Sequence, residues 1–219
     1  AIFNQYHLGN APTFVQNLFI MDNLALLIKQ MCLLAVGFTV LFSVDFVEKL
    51  PKHHGEFYVL ILSALIGMMV MASANDFLTL FVGLELMAIS FYVLVGYALK
   101  SSNSSEAGVK YLIVGSTSSA IMLYGVSLVY GTTGSIIFQE LAANFALYST
   151  AALVGILMVL IGFFFKMSII PFHMWAPDIY QGAPTPITAL LATASKTAAV
   201  AALIRVLFMA FAIVKIYWL

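Results

Sequence analysis

Six apolar stretches, each long enough to cross the hydrocarbon core of a bilayer, dominate this 219-residue chain. Crossing about 30 Å takes about 20 helical residues. In lipid no water serves the backbone N–H and C=O groups, so such runs persist only as helices. They cover about 24–44, 57–74, 77–99, 107–130, 151–170 and 186–214. Continuous runs of this length are too long for barrel strands. Composition agrees: 63% of residues are hydrophobic and 8% charged, with a mean hydropathy of +1.06, where a soluble domain carries about 25% charge. The sequence therefore predicts an all-α polytopic membrane protein of about six transmembrane helices, one helical domain over residues 1–219. A net charge of zero leaves no basic face for nucleic acid. Cys32 is the only cysteine, which excludes an internal disulfide; it reads as a small core hydrophobe.

The connections sharpen this outline. An irregular segment holding Asn10-Ala11-Pro12 precedes the first stretch, and the second and third are joined by a tight Asn75-Asp76 turn. Asn103 and Glu106 have the spacing of a capping pair opening the fourth helix. Between the fourth and fifth, Ile137, Phe138, Leu141 and Phe145 share one face of a short helix expected to lie along the membrane interface. Lys49, Lys52 and Lys100 follow the first and third stretches, whereas Asp76 and Glu140 follow the second and fourth. Positive-inside logic puts the lysine end in the cytoplasm or its organellar equivalent. His53-His54 in the first loop make too poor a ligand set for a metal, so none is expected.

Glu85, Lys166 and Lys196 interrupt the third, fifth and sixth apolar stretches. Each charge near a helix centre opposes insertion by roughly 2.5–3.5 kcal/mol, so a chain that only had to pack would do better with Leu or Ala. Intramembrane ionisable residues are functional candidates, here for a proton pathway. A protonated, hydrogen-bonded Glu85 held for packing is the bland alternative. Lys166 precedes Pro171, whose ring crowds the carbonyl four residues back, so the fifth helix should break one turn after the lysine. Irregular backbone at membrane depth must be buried in protein or line water, and transporters build ion sites at such breaks; snorkelling to the interface competes. Lys196 lies among Thr193, Ser195, Thr197 and alanines, which permit close packing and can hold water. Lys110, near the start of the fourth helix, fits an interfacial position or a role equally. His173 in the break fits a proton relay or a structural histidine. The hydroxyls of Ser116, Thr117, Ser118 and Ser119 are expected to bond across helices. At about 7 Å and an effective dielectric of about 20, a Glu85–Lys166 attraction is about 2.4 kcal/mol. Moving the carboxylate would swing the lysine between charged and neutral, provided the two helices are neighbours.

Several longer motifs carry a resemblance. Phe81-Val82-Gly83-Leu84-Glu85-Leu86, Glu106-Ala107-Gly108-Val109-Lys110-Tyr111-Leu112, Tyr124-Gly125-Val126-Ser127-Leu128-Val129-Tyr130-Gly131, and the run from Phe165 and Lys166 through Pro171, His173 and Trp175 to Asp178 and on to Pro186 occur in order. Together they resemble the antiporter-like membrane subunits of proton-pumping NADH:quinone oxidoreductase, respiratory complex I, most of all the N-type. The resemblance implies that Glu85, Lys166 and Lys196 match the family's proton-handling residues, with Lys110 and His173 as associated positions. It implies a discontinuous fifth helix and one antiporter-like bundle, the first of the two inverted half-repeats the family uses, with the second half absent. It further implies no cofactor in this chain, with NADH, FMN, iron–sulfur clusters and quinone in partner subunits. The expected partners are the other membrane-arm subunits, the bilayer and protons. The expected location is the inner (plasma) membrane of a bacterium, ahead of an organellar inner membrane. The rival readings are a subunit of a multi-subunit sodium/proton antiporter, a subunit of a membrane-bound hydrogenase or F420H2 dehydrogenase complex, and a purely structural membrane spacer.

Overall fold

The computed structural model describes residues 17–50, 52–144 and 149–211; Asn10-Ala11-Pro12, Phe145 and the sixth stretch beyond residue 211 lie outside the described residues. The apolar runs fold as helices, and turn chemistry sets their ends. Helix α1 (Asn23–Phe42) opens on Asp22, whose carboxylate accepts from Ala25 N–H at 2.7 Å. A short α2 (Val44–Glu48) leads to α3 (His54–Ser73). Helix α4 (Phe77–Val95) starts on Asp76, which accepts from Thr79 N–H at 2.8 Å; this is the expected tight turn, with an acidic N-cap satisfying an orphan amide. Helix α5 (Ser102–Thr133) runs 32 residues, about 48 Å. It is capped by Ser101 rather than by the Asn103–Glu106 pair, because the helix begins before Asn103 and Glu106 turns to Lys110 instead. Gly134 closes it at φ +74°, a left-handed cap that glycine adopts without Cβ strain.

Helix α6 (Phe138–Asn144) does not lie with its apolar face in lipid. Phe138 and Leu141 are fully buried, and the Phe138 ring meets Phe77 edge-on at 5.1 Å. Backbone bonds pull it in: Phe138 N–H reaches Asn75 C=O at 3.0 Å and Phe77 N–H reaches Ile136 C=O at 3.1 Å. The acidic turn after α3 and the segment before α6 thus share one end of the bundle.

Helix α7 (Thr150–Met167) is followed by irregular backbone, then α8 (Trp175–Gly182), α9 (Thr185–Ala192) and α10 (Ala194–Arg205), which continues as a π turn over Val206–Ala210. The fifth helix is discontinuous, as expected. The sixth is interrupted too, at Thr193 (φ −109°, ψ −78°), which the sequence reading did not foresee. Among the described residues, six spans are long and apolar enough to cross a membrane: Asn23–Phe42, His54–Ser73, Phe77–Val95, Ser102–Thr133, Thr150–Met167 and Thr185–Ala210.

Two helix pairs pack backbone to backbone. A Cβ added to Gly67 of α3 would meet Gly83 O of α4 at 2.7 Å, and one added to Gly125 of α5 would meet Gly155 O of α7 at 2.6 Å. Small residues let helices approach this closely where burial of apolar surface gives no net drive in lipid. Helix α5 joins the pairs by packing on both α4 and α7, while α10 packs on α1, α3 and α7. Large apolar side chains such as Leu34, Phe38, Leu41, Val59 and Ile66 point outward, as lipid-facing positions should.

Candidate functional site

Glu85 is eight residues past the start of α4, about 12 Å along the helix. Facing it, Ser119 is 17 residues into the 32-residue α5, close to its midpoint. The Ser119 hydroxyl donates to Glu85 Oε1 in a short hydrogen bond. Two elements thus fix the half-buried carboxylate at mid-depth. Of the four hydroxyls expected to bond across helices, Ser119 does; Ser116 and Thr117 turn back on Ile113 C=O at 3.1 and 2.9 Å. Ser118 Oγ is buried without a partner.

Lys166 occupies the last turn of α7 and is 6% exposed. Its Nζ has no hydrogen-bond partner among the described residues and sits 5.7 Å from the centre of the Tyr92 ring. It is not snorkelling. Helices α4 and α7 are bridged by α5 rather than tightly paired, yet Tyr92 of α4 meets Lys166 of α7. The chain leaves the helix at Ser168, which takes a left-handed conformation (φ 57°) and returns its N–H to Phe165 C=O at 3.0 Å. The break therefore comes three residues ahead of Pro171. Proline offers no N–H to Met167 C=O and disfavours helical geometry at Ile170, so the helix ends before the ring.

Trp175 holds the break together. Its indole N–H donates to Phe165 C=O at 3.0 Å, serving a carbonyl near the helix end. Its ring also stacks on Tyr111 (centroids 5.0 Å apart, planes 10° apart) and on Phe165 (5.2 Å). Tyr111 meets Tyr92 edge-on at 4.8 Å, and Tyr180 meets Trp175 edge-on at 6.0 Å. Lys196 Nζ lies 5.4 Å from the Tyr180 ring. A ladder of Tyr92, Tyr111, Trp175 and Tyr180 thus runs from Lys166 to Lys196. Lys196 is half-buried, three residues past the Thr193 interruption, and lines a cavity of about 410 Å³ with Leu24, Ile28 and Thr197.

The other two candidates lie apart. Lys110 is exposed and bonds Glu106 at 2.7 Å and Asp178 at 3.0 Å, tying the start of α5 to α8. Exposed pairs of this kind are screened by solvent and contribute little to stability. The His173 side chain is exposed, and it makes no hydrogen bond among the described residues; the break turns it away from the ladder. His53 and His54 do not share a site: His53 pairs with Glu56 at 2.9 Å and His54 with Leu50 C=O at 2.8 Å.

A second buried charge centre was missed. Arg205 Nη1 and Nη2 donate to Asp22 Oδ2 and Oδ1 at 2.8 and 2.9 Å, and Nη2 also reaches Ala72 C=O at 3.1 Å. Arg205 interrupts the sixth apolar stretch just as Lys196 does, so the same signal was available. The ladder aromatics carried no such signal, being spread over three helices with no common period.

A polytopic helical bundle with ionisable side chains in its interior and a break beside one of them defines a class: multi-span helical membrane proteins with a charged interior. More specifically, the chain belongs to the NADH:quinone oxidoreductase/Mrp antiporter transmembrane family, which matches residues 74–219. NADH-quinone oxidoreductase subunit N of Heliobacterium modesticaldum is 50% identical over 203 residues, covering 93% of this chain and 42% of that protein. The chain thus spans less than half the length of the curated relatives it matches. Among solved structures, a chain of respiratory complex I from Thermus thermophilus with bound aureothin superposes with a TM-score of 0.76 at 30% identity, covering 93% of this chain and 43% of that one. A chain of an archaeal membrane-bound sulfane sulfur reductase superposes at 0.80 with 29% identity, covering 90% of this chain and 42% of that one.

Proposed function

We propose that this chain is part of a proton-translocating membrane subunit of an NADH:quinone oxidoreductase, lodged among other membrane-arm subunits in the inner membrane of a bacterium. Glu85, Lys166 and Lys196 are the proton-handling groups. Redox chemistry belongs to partner subunits that carry FMN, iron–sulfur clusters and the NADH and quinone sites. The observation that carries this reading is Lys166: a buried lysine at a helix break, whose Nζ has no hydrogen-bonding partner among the described residues.

Burying an unpaired cation is costly, and the cost falls when the group gives up its proton. A carboxylate favours the charged form at about 332/(εr) kcal/mol. Protonating Glu85, or moving it with α4, therefore weakens the hold on the Lys166 proton. A proton released there can pass toward Lys196 along the side of the aromatic ladder. Lys166 Nζ and the Tyr92 and Tyr180 hydroxyls are buried polar atoms of the kind that internal water satisfies. The Thr193 interruption gives Lys196 a neighbouring irregular backbone like that beside Lys166.

The test uses the full-length subunit in its assembled complex. Lys166→Ala and Lys196→Ala should each lower NADH-driven proton uptake into membrane vesicles at least about tenfold, equivalent to about 1.4 kcal/mol, with assembly intact. Normal uptake in both would leave only a structural spacer. Uptake that follows sodium rather than NADH oxidation would favour the sodium/proton antiporter side of the family.

A further inference from the structure

Where the lysine-bearing loops meet, α2, the start of α3 and the end of α4 enclose a cavity of about 600 Å³. Its walls are mostly apolar, with Phe46, Leu60, Val93 and Leu99 among them, and Lys49, Lys52 and Lys100 stand around it. We infer that this cavity is a binding site for an anionic glycerophospholipid, its acyl portion in the apolar recess and its phosphate among the three lysines.

Four observations support the assignment independently of the proton-handling groups. First, the volume is that of a built ligand site, about 300–1,000 Å³, and its apolar walls suit a hydrocarbon chain where a free water-soluble anion needs none. Second, the lysines have spare charge: none of the three makes an ion pair or side-chain hydrogen bond among the described residues. Glu56, the carboxylate on the lining, is held by His53 at 2.9 Å. Asp45 and Glu48 of α2 are exposed, and Asp45 lines the adjoining cavity beside Phe42.

Third, the depth is right. Lys52 lies two residues before α3 and Lys100 five residues after α4, at the ends of two membrane-length helices where headgroups sit. Asp76 and Glu140 occupy the opposite end, so the lysine end is the one expected at the cytoplasmic leaflet, where anionic lipid concentrates. Fourth, the recess is pre-organised. The Tyr97 hydroxyl donates to His53 C=O at 2.6 Å, tying the two loops, and its ring packs edge-on to Phe57 at 5.1 Å.

The test uses the assembled complex in nanodiscs and two photoreactive probes, a phosphatidylglycerol and a phosphatidylcholine with the same acyl chain. Labelling is mapped by mass spectrometry on peptides covering 46–60 and 93–101. Each lysine near an anionic headgroup strengthens attraction about fivefold, so the phosphatidylglycerol probe should label these peptides well above the phosphatidylcholine one. Combining Lys49→Ala, Lys52→Ala and Lys100→Ala should abolish that preference, and Leu60→Trp, which fills the recess without altering charge, should block both probes. If the triple variant does not assemble, Lys100→Ala alone should cut the preference about fivefold. Equal labelling by both probes in the unaltered complex overturns the proposal, as does a preference that survives loss of the lysines. Displacement of the probe by millimolar inorganic phosphate would make this a site for free phosphate and also overturns it. Absence of labelling by either probe would mean that protein covers the cavity, and the proposal falls.

Discussion

Two charged centres in the interior of the molecule are treated oppositely. At Asp22–Arg205 the partners are 1% and 0% exposed, and two parallel hydrogen bonds join them. Asp22 also caps α1, and Arg205 also reaches Ala72 C=O, so the pair ties α1, α3 and α10 at one point. Of the guanidinium nitrogens, Nε alone is left without a partner. At Glu85 and Lys166, by contrast, the carboxylate accepts from the Ser119 hydroxyl, while the lysine Nζ lies 5.7 Å from the centre of the Tyr92 ring and has no hydrogen-bond partner among the described residues. Bidentate geometry of the first kind is the strong, directional form of a charge-assisted hydrogen bond. The second arrangement leaves hydrogen-bonding capacity unused on the lysine. Buried charge is thus met in two ways here, with its hydrogen bonds almost filled at Asp22–Arg205 and largely unfilled at Lys166.

Breaking the closed pair should have the largest effect. Arg205→Leu leaves the Asp22 carboxylate buried and alone, and should lower stability by about 3–5 kcal/mol, read as thermal unfolding of the purified complex. Adding Asp22→Leu should recover most of that loss; a double variant as unstable as the single one would mean that the orphaned charge is not the cause. Lys166→Leu should behave in the opposite sense. It removes an under-satisfied charge, so unfolding temperature should hold or rise by the equivalent of about 1 kcal/mol or more, while proton uptake in vesicles collapses. Ser119→Ala should cost about 1.5–3 kcal/mol, the range for a hydrogen bond to a charged group, and should alter uptake as well. Trp175→Phe keeps the stacking but loses the bond to Phe165 C=O. Thermal unfolding should report a loss of about 1 kcal/mol, with uptake affected less than by Ser119→Ala.

The spans were legible in the sequence because lipid permits a run of about 20 apolar residues one local structure. The Asp76 turn and the break beside Lys166 were legible for similar reasons: an acidic cap and a proline act within four residues of themselves. The Thr193 interruption was not. Ala192-Thr193-Ala194 holds no proline or glycine, so packing around the sixth helix imposes it. The site of the α5 cap was misjudged because a serine-rich turn offers several hydroxyls, and Ser101 was the one in register. Lys166 and Glu85 were identifiable as intramembrane charges, but the partners each finds, the Tyr92 ring and the Ser119 hydroxyl, depend on tertiary structure. His173 illustrates the converse, since only the path of the chain after Ser168 decides which way its ring faces. The family resemblance was carried by contiguous motifs and is shown by the match over residues 74–219.

The glycine contacts have a mechanical consequence. With Gly67 seated on Gly83 and Gly125 on Gly155, α3 with α4 and α5 with α7 form two stiff plates, since sliding within either would drive backbone into backbone. Glu85 rides on the first plate and Lys166 on the second. Any stroke that changes the separation of carboxylate and ammonium is thereby channelled into the seam between the plates, where Ser119 and Tyr92 lie.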